Sequence, residues 1–281
     1  MRSRRNLKIQ VTGRSLGRHD HMARTNVVTG AASGIGLATK QLLESRGETV
    51  IGIDIRDADV VVDLTSPADR ERMVDEVRTR SGGTIDTIIA IAGLAGPIVA
   101  GVAVNYFGMV ATLENLRPLL AGSPSPRAVG VASFASILPH DDALMADLRA
   151  GDEPAALTRA AELATDPTGS GMLIYPSSKA ALAQWIRRES ITQEWAGAGI
   201  PLNAIAPGVV STPMMAKALA SQEGRDMVAA AVPAPLNGFA DALVPARLLA
   251  WLVSAENSHL CGQVIFVDGG SDASLRGDST W

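Results

Sequence analysis

The chain has 281 residues, a net charge of -4 and one cysteine, and this acidic balance gives no electrostatic basis for binding nucleic acid. Cys261 has no second cysteine for a disulfide or a cysteine-based metal site, so we predict no bound metal and a reducing, cytoplasmic location. Hydrophobic residues make up 47% of the chain, yet no apolar run reaches the roughly 20 residues of a membrane span.

The first 21 residues are basic and lack the continuous apolar stretch of a secretory signal. Met22 begins the segment MARTNVVTG, which leads directly into an apolar strand. We therefore expect residues 1–21 to be a disordered extension, or translation to start at Met22. Residues 22–281 are expected to form a single domain.

Short apolar, β-branched runs then alternate with helical patterns, which indicates a parallel sheet covered on both faces. The predicted strands are residues 26–29, 49–54, 60–62, 87–92, 128–133, 201–205 and 264–267. The predicted helices are residues 35–45, 67–80, 102–120 and 177–195. This alternation predicts an α/β fold: a single-domain Rossmann fold with a doubly wound, seven-stranded, mostly parallel sheet and helices on both faces.

Two segments interrupt the alternation. Residues 138–171 are polar, acidic and rich in alanine, which predicts a helical insertion. Residues 212–240 are rich in Ala, Met and Pro and resemble a mobile lid over a substrate. Long irregular segments of compact domains often have a function.

A glycine-rich turn follows the first strand and runs directly into a helix. Glycines allow the backbone to approach a pyrophosphate, whose charge the free amides at the helix start would bind. The turn reads Thr29-Gly30-Ala31-Ala32-Ser33-Gly34-Ile35-Gly36. It predicts a dinucleotide site.

Asp54 ends the second predicted strand, where a carboxylate can accept hydrogen bonds from the adenosine ribose. The same charge would repel a 2′-phosphate, so NAD is favoured over NADP. Ala31 and Ala32 agree, because neither supplies a cation for that phosphate. Arg56 is the one nearby residue that favours the opposite preference.

Tyr175 and Lys179 are four residues apart, which on a helix places both side chains on one face. Tyrosine has a pKa near 10, and a neighbouring ammonium favours the phenolate and so lowers that pKa. Tyr-x-x-x-Lys is a short pattern that also arises by chance, so its interpretation depends on the rest of the chain. Pro176 suits a first helical turn, where a missing N–H costs nothing.

In this order, the motifs resemble those of the short-chain dehydrogenase/reductase family over residues 26–271. They are TGAASGIG at 29–36, Asp63-Leu64, Ala92-Gly93, Asn105 in VNYFG, Ser133 in VASFAS, Tyr175 and Lys179 in YPSSK, IAPGVVSTPM at 205–214 and VDGG at 267–270. The segments GIDIRDADVVVDL and VNYFG and the long insertion are similar to the 3α-hydroxysteroid dehydrogenase/carbonyl reductase branch. Ile91 stands where the family usually has Asn, and Ala132 stands where it usually has Ser.

The resemblance implies four catalytic residues. Tyr175 would be the general acid/base, and Lys179 would bind the nicotinamide ribose and depress the pKa of that tyrosine. Ser133 would hydrogen-bond the substrate oxygen, and Asn105 would position a water that links Lys179 to solvent.

The implied cofactor is NAD. Its predicted contacts are Gly30, Ser33, Gly34, Ile35, Gly36, Asp54, Asp63, Leu64, Ala92, Gly93, Tyr175, Lys179, Pro207, Gly208, Val210 and Thr212. The predicted substrate contacts are Ser133, Phe134, Tyr175, Met214 and Met215. Leu219, Met227 and Val232 are further candidates for an apolar inner face of the lid, since methionine adapts to varied shapes.

These residues predict an NAD(H)-dependent oxidoreductase that interconverts a hydrophobic secondary alcohol and a ketone or aldehyde, such as a steroid-like or xenobiotic carbonyl. One alternative is a reductase of activated double bonds on the same scaffold. Another is a dinucleotide-binding sensor without turnover, which would be expected to lose Ser133, Tyr175 or Lys179. Family members usually pair through the long helices, so we expect a homodimer or homotetramer, and the insertion beside those helices favours the dimer.

Overall fold

A computed structural model of the chain describes residues 23–279. The predicted extension, residues 1–21, lies outside this range. Within residues 23–279, no helix is both long enough and apolar enough to cross a membrane.

Seven strands form one parallel sheet. They are β1 Thr25–Thr29, β2 Thr49–Asp54, β3 Val60–Val61, β4 Thr87–Ala90, β5 Arg127–Val131, β6 Leu202–Pro207 and, at the far edge, β9 Val264–Val267. Their order in the sheet is β3-β2-β1-β4-β5-β6-β9, and every neighbouring pair is parallel. The predicted fold class, a doubly wound Rossmann fold, is confirmed.

The central strands are apolar on both faces because helices cover both. Every residue of β4, β5 and β6 is buried, whereas the edge strand β9 is only half-buried. The helices are α1 Gly34–Ser45, α2 Pro67–Ser81, α3 Val99–Val102, α4 Met109–Leu116, α5 Asp142–Ala150, α6 Glu153–Thr165, α7 Ile174–Glu189, α8 Gln222–Ala231, α9 Leu243–Leu252 and α10 Ser271–Arg276. Helix α1 packs beside α9, and α2 packs beside α4.

The sheet reverses its strand order between β1 and β4, and this is where the candidate site opens. After β1 the chain builds β2 and β3 on one side and then crosses to β4 on the other. In such sheets ligands bind at the carboxyl ends of the strands beside this switch point. Thr29 Oγ1 accepts hydrogen bonds from the amides of Ile91 (2.8 Å) and Ala92 (3.1 Å), which joins the two strand ends.

The predicted long helix over residues 102–120 is helical throughout, but only part of it is α-helical. The segment consists of α3, a π-helical turn Ala103–Gly108, α4, and a 3-10 turn Arg117–Gly122. Pro118 lacks the N–H of a regular turn and tightens the last turn. At Gly108 a Cβ would lie 2.9 Å from Leu64 Cβ, so the π-helical turn packs directly on the end of the β3 segment.

The predicted helix over residues 177–195 is α7, which begins earlier, at Ile174, and ends earlier, at Glu189. Pro176 is therefore inside the first turn, where its missing N–H leaves no bond unmade. After Glu189 the Ser190 carbonyl accepts from Cys261 Sγ (3.2 Å) instead of continuing the helix. The strands predicted over 87–92 and 128–133 end at Ala90 and Val131, so the residues that follow are loops.

The two irregular segments have defined structure. Residues 138–171 contain α5 and α6, and α5 packs on α7. Residues 212–240 contain a 3-10 turn, Pro213–Met215, and α8. A second, two-stranded parallel sheet, β7 Val210–Ser211 with β8 Ala240–Asp241, closes this segment at its base.

Candidate active site

A cavity of about 460 Å³ opens at the carboxyl ends of the strands. The glycine-rich turn forms one end of it, α7 and the loop after β5 form one wall, and the segment after β6 forms the other. The predicted site residues that line it are Gly30, Ser33, Gly34, Ile35, Gly36, Ala92, Gly93, Ser133, Phe134, Tyr175, Lys179, Pro207, Gly208, Val210, Thr212, Met214 and Met215.

Four predicted residues lie outside the cavity lining: Asn105, Asp54, Asp63 and Leu64. Asn105 is buried behind the cavity wall in the π-helical turn. The other three lie at the carboxyl ends of the β2 and β3 segments, on the adenosine side expected of a dinucleotide in this fold.

The glycine-rich turn packs closely on the start of α1. A Cβ at Gly36 would lie 2.0 Å from the Gly30 carbonyl oxygen, so only glycine lets the helix start pack this closely on the turn. Ser33 precedes α1 without a side-chain cap from any described residue, whereas Ser66, Asp141, Asp152 and Ser221 cap their helices. The first amides of α1 are therefore available to an anion.

Asp54 is held against this turn by the backbone. Its Oδ2 accepts from the amide of Ala32 (3.0 Å) and its Oδ1 accepts from the amide of Ile55 (2.7 Å). Each carboxylate oxygen keeps a second lone pair, so the group can still accept from ribose hydroxyls. Arg56, two residues further on, is exposed.

The turn after β3 is ordered by its own side chains. Asp63 Oδ1 accepts from both the amide (2.9 Å) and the hydroxyl (2.8 Å) of Thr65, and the Asp63 amide donates to Asp69 Oδ2 (2.8 Å). The Val62 amide donates to the Asp54 carbonyl (3.0 Å). Asp63 and Leu64 therefore lie beside the carboxyl end of β2.

Tyr175 reaches the cavity from the first turn of α7, and Ser133 reaches it from the end of β5. The Ser133 hydroxyl accepts from the amide of Ala135 (3.1 Å), which starts a 3-10 turn and fixes that side chain. Burial raises the pKa of Tyr175, and the neighbouring Ser133 hydroxyl opposes this rise. That a charged Lys179 depresses the pKa of Tyr175 stays a prediction.

Lys179 is almost fully buried, with 3% of its surface exposed, and its Nζ donates to the carbonyl of Val131 (2.8 Å). Burial lowers the pKa of Lys179 to about 7. The amine is therefore only partly charged at neutral pH. Val131 was not predicted as a site residue, since a backbone acceptor has no sequence signal.

Asn105 joins three parts of the site. Its Oδ1 accepts from the amide of Leu94 (2.8 Å), and its Nδ2 donates to the carbonyl of Leu94 (2.9 Å) and to Ser178 Oγ (3.1 Å). A Cβ at Gly93 would lie 3.0 Å from Asn105 Oδ1 and 3.4 Å from Lys179 Nζ. Asn105 thus lies close to Lys179 but is held by the loop after β4 and by α7. Ser178 is a second residue that sequence reasoning missed.

The segment after β6 also lines the cavity. A Cβ at Gly208 would lie 2.9 Å from the Cα of Asp268, so the strand ends of β6 and β9 pack in close contact there. Thr212 comes close to the phosphate turn, because a Cβ at Gly34 would lie 3.3 Å from its methyl group. The segment after β6 therefore reaches the glycine-rich turn.

The rest of the cavity is apolar. Phe134, Met214 and Met215 line it as predicted, and the side chains that prediction missed include Ala95, Leu138, Met172, Val228 and Ala231. Val232 also lines it, but Leu219 and Met227 do not, and Met227 is 68% exposed. On α8 the lining residues include Val228, one position after the predicted Met227.

Two further features bear on chemistry. His140 is exposed and is not among the residues that line the cavity, and its Nε2 lies 3.9 Å from Asp142 Oδ1. In the described range 23–279, no three His, Cys, Asp or Glu side chains cluster in a way that would hold a metal ion.

Comparison with known proteins places this geometry among dinucleotide enzymes. A family model described as enoyl-(acyl carrier protein) reductase matches residues 30–272. A 3-alpha-hydroxysteroid dehydrogenase/carbonyl reductase of Comamonas testosteroni is 37% identical over 256 residues, which cover 89% of this chain and 97% of that protein.

Solved structures agree in fold. The 3-alpha-hydroxysteroid dehydrogenase of Pseudomonas sp. B-0831, solved in complex with NADH, is 37% identical with a TM-score of 0.81, over 90% of this chain and 99% of that one. Levodione reductase has a TM-score of 0.70 at 23% identity, over 89% of this chain and 98% of that one. The second likeness concerns the fold alone.

Proposed function

The chain belongs to the short-chain dehydrogenase/reductase family of oxidoreductases, and on that premise we propose that it interconverts a hydrophobic secondary alcohol and a ketone or aldehyde with NAD(H). One observation carries the proposal. Ser133, Tyr175 and Lys179 line the same cavity as the glycine-rich turn, so a proton donor and a dinucleotide site share one space.

The described residues fit a dinucleotide. The uncapped start of α1 would hold the pyrophosphate, Asp54 the adenosine ribose, and the 207–212 segment the nicotinamide. When bound, the cofactor would accept or supply the hydride. We propose NAD rather than NADP because Asp54 presents a negative charge where the 2′-phosphate would lie. The NADH complex of the Pseudomonas relative supports this choice.

Tyr175 would transfer the proton. Burial holds its hydroxyl protonated in neutral solution, as carbonyl reduction requires of an acid. Ser133 would hydrogen-bond the reacting oxygen and align it with that hydroxyl. Lys179, whose pKa burial lowers to about 7, would bind ribose hydroxyls and exchange a proton near neutrality. Asn105 would hold α7 in place through Ser178.

The substrate would be a neutral, apolar molecule. Phe134, Leu138, Met172, Met214 and Val228 surround the open part of the cavity and place no charged group there. Methionine side chains accommodate varied shapes, which suits a bulky carbonyl compound. The names of the two 37% identical relatives point to hydroxysteroids and other carbonyl compounds within this class.

The description of the family model favours a second candidate, reduction of an activated double bond. Family members with that activity usually separate the tyrosine and lysine by more residues than Tyr175 and Lys179. We therefore rank alcohol and ketone chemistry first. A dinucleotide-binding sensor ranks last, because the cavity retains Ser133, Tyr175 and Lys179.

The quaternary structure that we propose is a homodimer. Helix α5 of the insertion lies against α7, and Arg149 Nε donates to Gln184 Oε1 (3.0 Å) across that contact. The insertion thus occupies part of the helix surface through which family members usually pair. A cytoplasmic location stays a prediction from the cysteine content.

The proton-transfer role is tested by Tyr175→Phe with Tyr106→Phe as the matched control. The chain has only these two tyrosines, and Tyr106 is buried and lies outside the cavity lining. Turnover of a panel of secondary alcohols with NAD should fall by about 10²–10⁴ in Tyr175→Phe and stay near the wild-type rate in Tyr106→Phe. Undiminished turnover in Tyr175→Phe would refute the proposed acid/base.

The cofactor preference is tested by comparing the Kd of NADH with that of NADPH for the wild type, Asp54→Asn and Asp57→Asn. Asp57 is an exposed carboxylate three residues from Asp54 and serves as the control. Asp54→Asn should reduce the preference for NADH, and Asp57→Asn should preserve it. Tighter binding of NADPH by the wild type would overturn the choice of cofactor.

A further inference from the structure

Arg70 of α2 is a buried guanidinium that connects three separate segments. Only 6% of its surface is exposed. Its Nε donates to the Leu64 carbonyl (2.7 Å), and its Nη2 donates to the Ala103 carbonyl (3.3 Å). Its Nη1 and Nη2 also donate to the two carboxylate oxygens of Glu153, each at 2.7 Å. This planar fork with several donors is a geometry that lysine cannot reproduce.

The first two contacts are with segments of the dinucleotide site. Leu64 belongs to the turn after β3, whose neighbouring Val62 amide is bonded to the carbonyl of Asp54. Ala103 begins the π-helical turn that carries Asn105. The two segments also touch directly, since a Cβ at Gly108 would lie 3.2 Å from the Leu64 carbonyl oxygen. Arg70 therefore ties the adenosine side of the site to the segment behind Lys179.

The third contact brings in the insertion. Glu153 is the first residue of α6, and its side chain is 20% exposed. Asp141, at the start of α5, pairs with Arg159 of α6 through two bonds of 2.8 and 3.0 Å. The Asp141 amide donates to Ser177 Oγ of α7 (3.0 Å), two residues after Tyr175. The insertion thus spans from α7 to the turn after β3.

We infer that Arg70 and Glu153 are positioning residues, through which the insertion holds the turn at Asp63 and Leu64 in the shape that binds the adenosine half of the dinucleotide. This inference rests on the proposed function. Neither side chain lines the cavity, so both act through Leu64 and Ala103. The carboxylate of Glu153 fixes the orientation of the guanidinium, and the guanidinium fixes the two carbonyls.

The test compares Glu153→Gln, Glu153→Ala and Arg70→Lys with Glu162→Gln as the control. Glu162 lies on the same helix and pairs with Arg159 (2.9 Å), but it is exposed and remote from Arg70. Calorimetry with ADP-ribose, which lacks the nicotinamide, should show an affinity loss of about tenfold in Arg70→Lys and Glu153→Ala. Glu153→Gln keeps one acceptor oxygen and should lose less. Glu162→Gln should bind as the wild type does.

Hydrogen exchange without any added nucleotide provides a second measurement. The amides of residues 63–66 and 103–108 should exchange about tenfold faster in Glu153→Gln, while those of β6 keep their protection. Where turnover is measurable, KM for NAD should rise and kcat should stay within about twofold. A double-mutant cycle of Arg70→Lys with Glu153→Gln should show non-additive losses.

The outcomes separate the two proposals. A wild type that binds neither ADP-ribose nor NADH overturns the proposed function and this inference together. A wild type that binds both, with variants that retain its ADP-ribose affinity and local exchange rates, overturns the inference alone. Uniformly faster exchange over the whole sheet in Glu153→Gln would also overturn it, because the pair would then act on global stability.

Discussion

Lys179→Met is expected to stabilise the protein at neutral pH and to remove most of the rise in stability between pH 7 and pH 9. Burial lowers the pKa of Lys179 from the ordinary 10.5 to about 7. At pH values between about 7 and 10.5, Lys179 is protonated in the unfolded chain and neutral in the folded chain. Stability therefore rises as pH increases through this window and is lost as pH falls towards 7.

The magnitude follows from the same pKa difference. One pKa unit corresponds to 1.36 kcal/mol, so a difference of about 3.5 corresponds to about 5 kcal/mol of destabilisation below pH 7. Between pH 7 and pH 9 the wild type should recover about 2–3 kcal/mol of this. The methionine variant has no amine to protonate, so it avoids this destabilisation. It leaves the Val131 carbonyl without its donor, however, which costs about 1–3 kcal/mol. The variant should be more stable by about 2–4 kcal/mol at pH 6 and nearly equal at pH 9.

Urea unfolding followed by tryptophan fluorescence at pH 6, 7, 8 and 9 measures this difference. All samples should have one protein concentration, since an oligomer unfolds in a concentration-dependent way. Lys217→Met is the control, because Lys217 is exposed. Its pH profile should run parallel to that of the wild type. A Lys179→Met profile that also runs parallel would refute the assignment of a buried amine with a lowered pKa.

Two further variants test the packing of the site. Gly36→Ala would place a Cβ 2.0 Å from the Gly30 carbonyl oxygen, so the Kd for NADH should rise by about 100-fold or more. An unchanged Kd would contradict this close approach. Ser178→Ala removes the acceptor of the Asn105 amide (3.1 Å), so kcat should fall by about tenfold while NADH affinity stays constant. Ser136→Ala, which removes a buried hydroxyl without a partner among the described residues, is its control, and equal kcat values for the two variants would refute this role.

The parallel sheet could be predicted because its signal is local. Apolar β-branched runs in β4, β5 and β6 indicate strands buried on both faces, whatever their order in the sheet. The glycine-rich turn was equally predictable, since its close approaches require residues without side chains. The order of the motifs along the chain placed Ser133, Tyr175 and Lys179 at one site, where the cavity brings them together.

Helix ends and breaks were predicted less well because they depend on contacts between distant segments. Residues 102–120 are helical as predicted, but a π-helical turn, Ala103–Gly108, replaces regular α-helix where Gly108 packs on Leu64. Helix α7 ends at Glu189, where Cys261 takes the next carbonyl as its acceptor. Neither partner is near in sequence, so no local pattern signals the change.

The sequence by itself determined the fold class and the identity of the polar groups, because periodicity and glycine placement are properties of neighbouring residues. Only the tertiary structure decided the pKa values of these groups and which distant residues hold the site in place. Burial raises the pKa of Tyr175 and lowers that of Lys179, and neither shift could be read from the spacing of the two residues. Arg70 and Glu153 are 83 residues apart and meet only after packing. The pKa shift caused by desolvation depends on all the atoms that surround a group in the folded chain. It therefore cannot be predicted from the spacing of residues along the sequence.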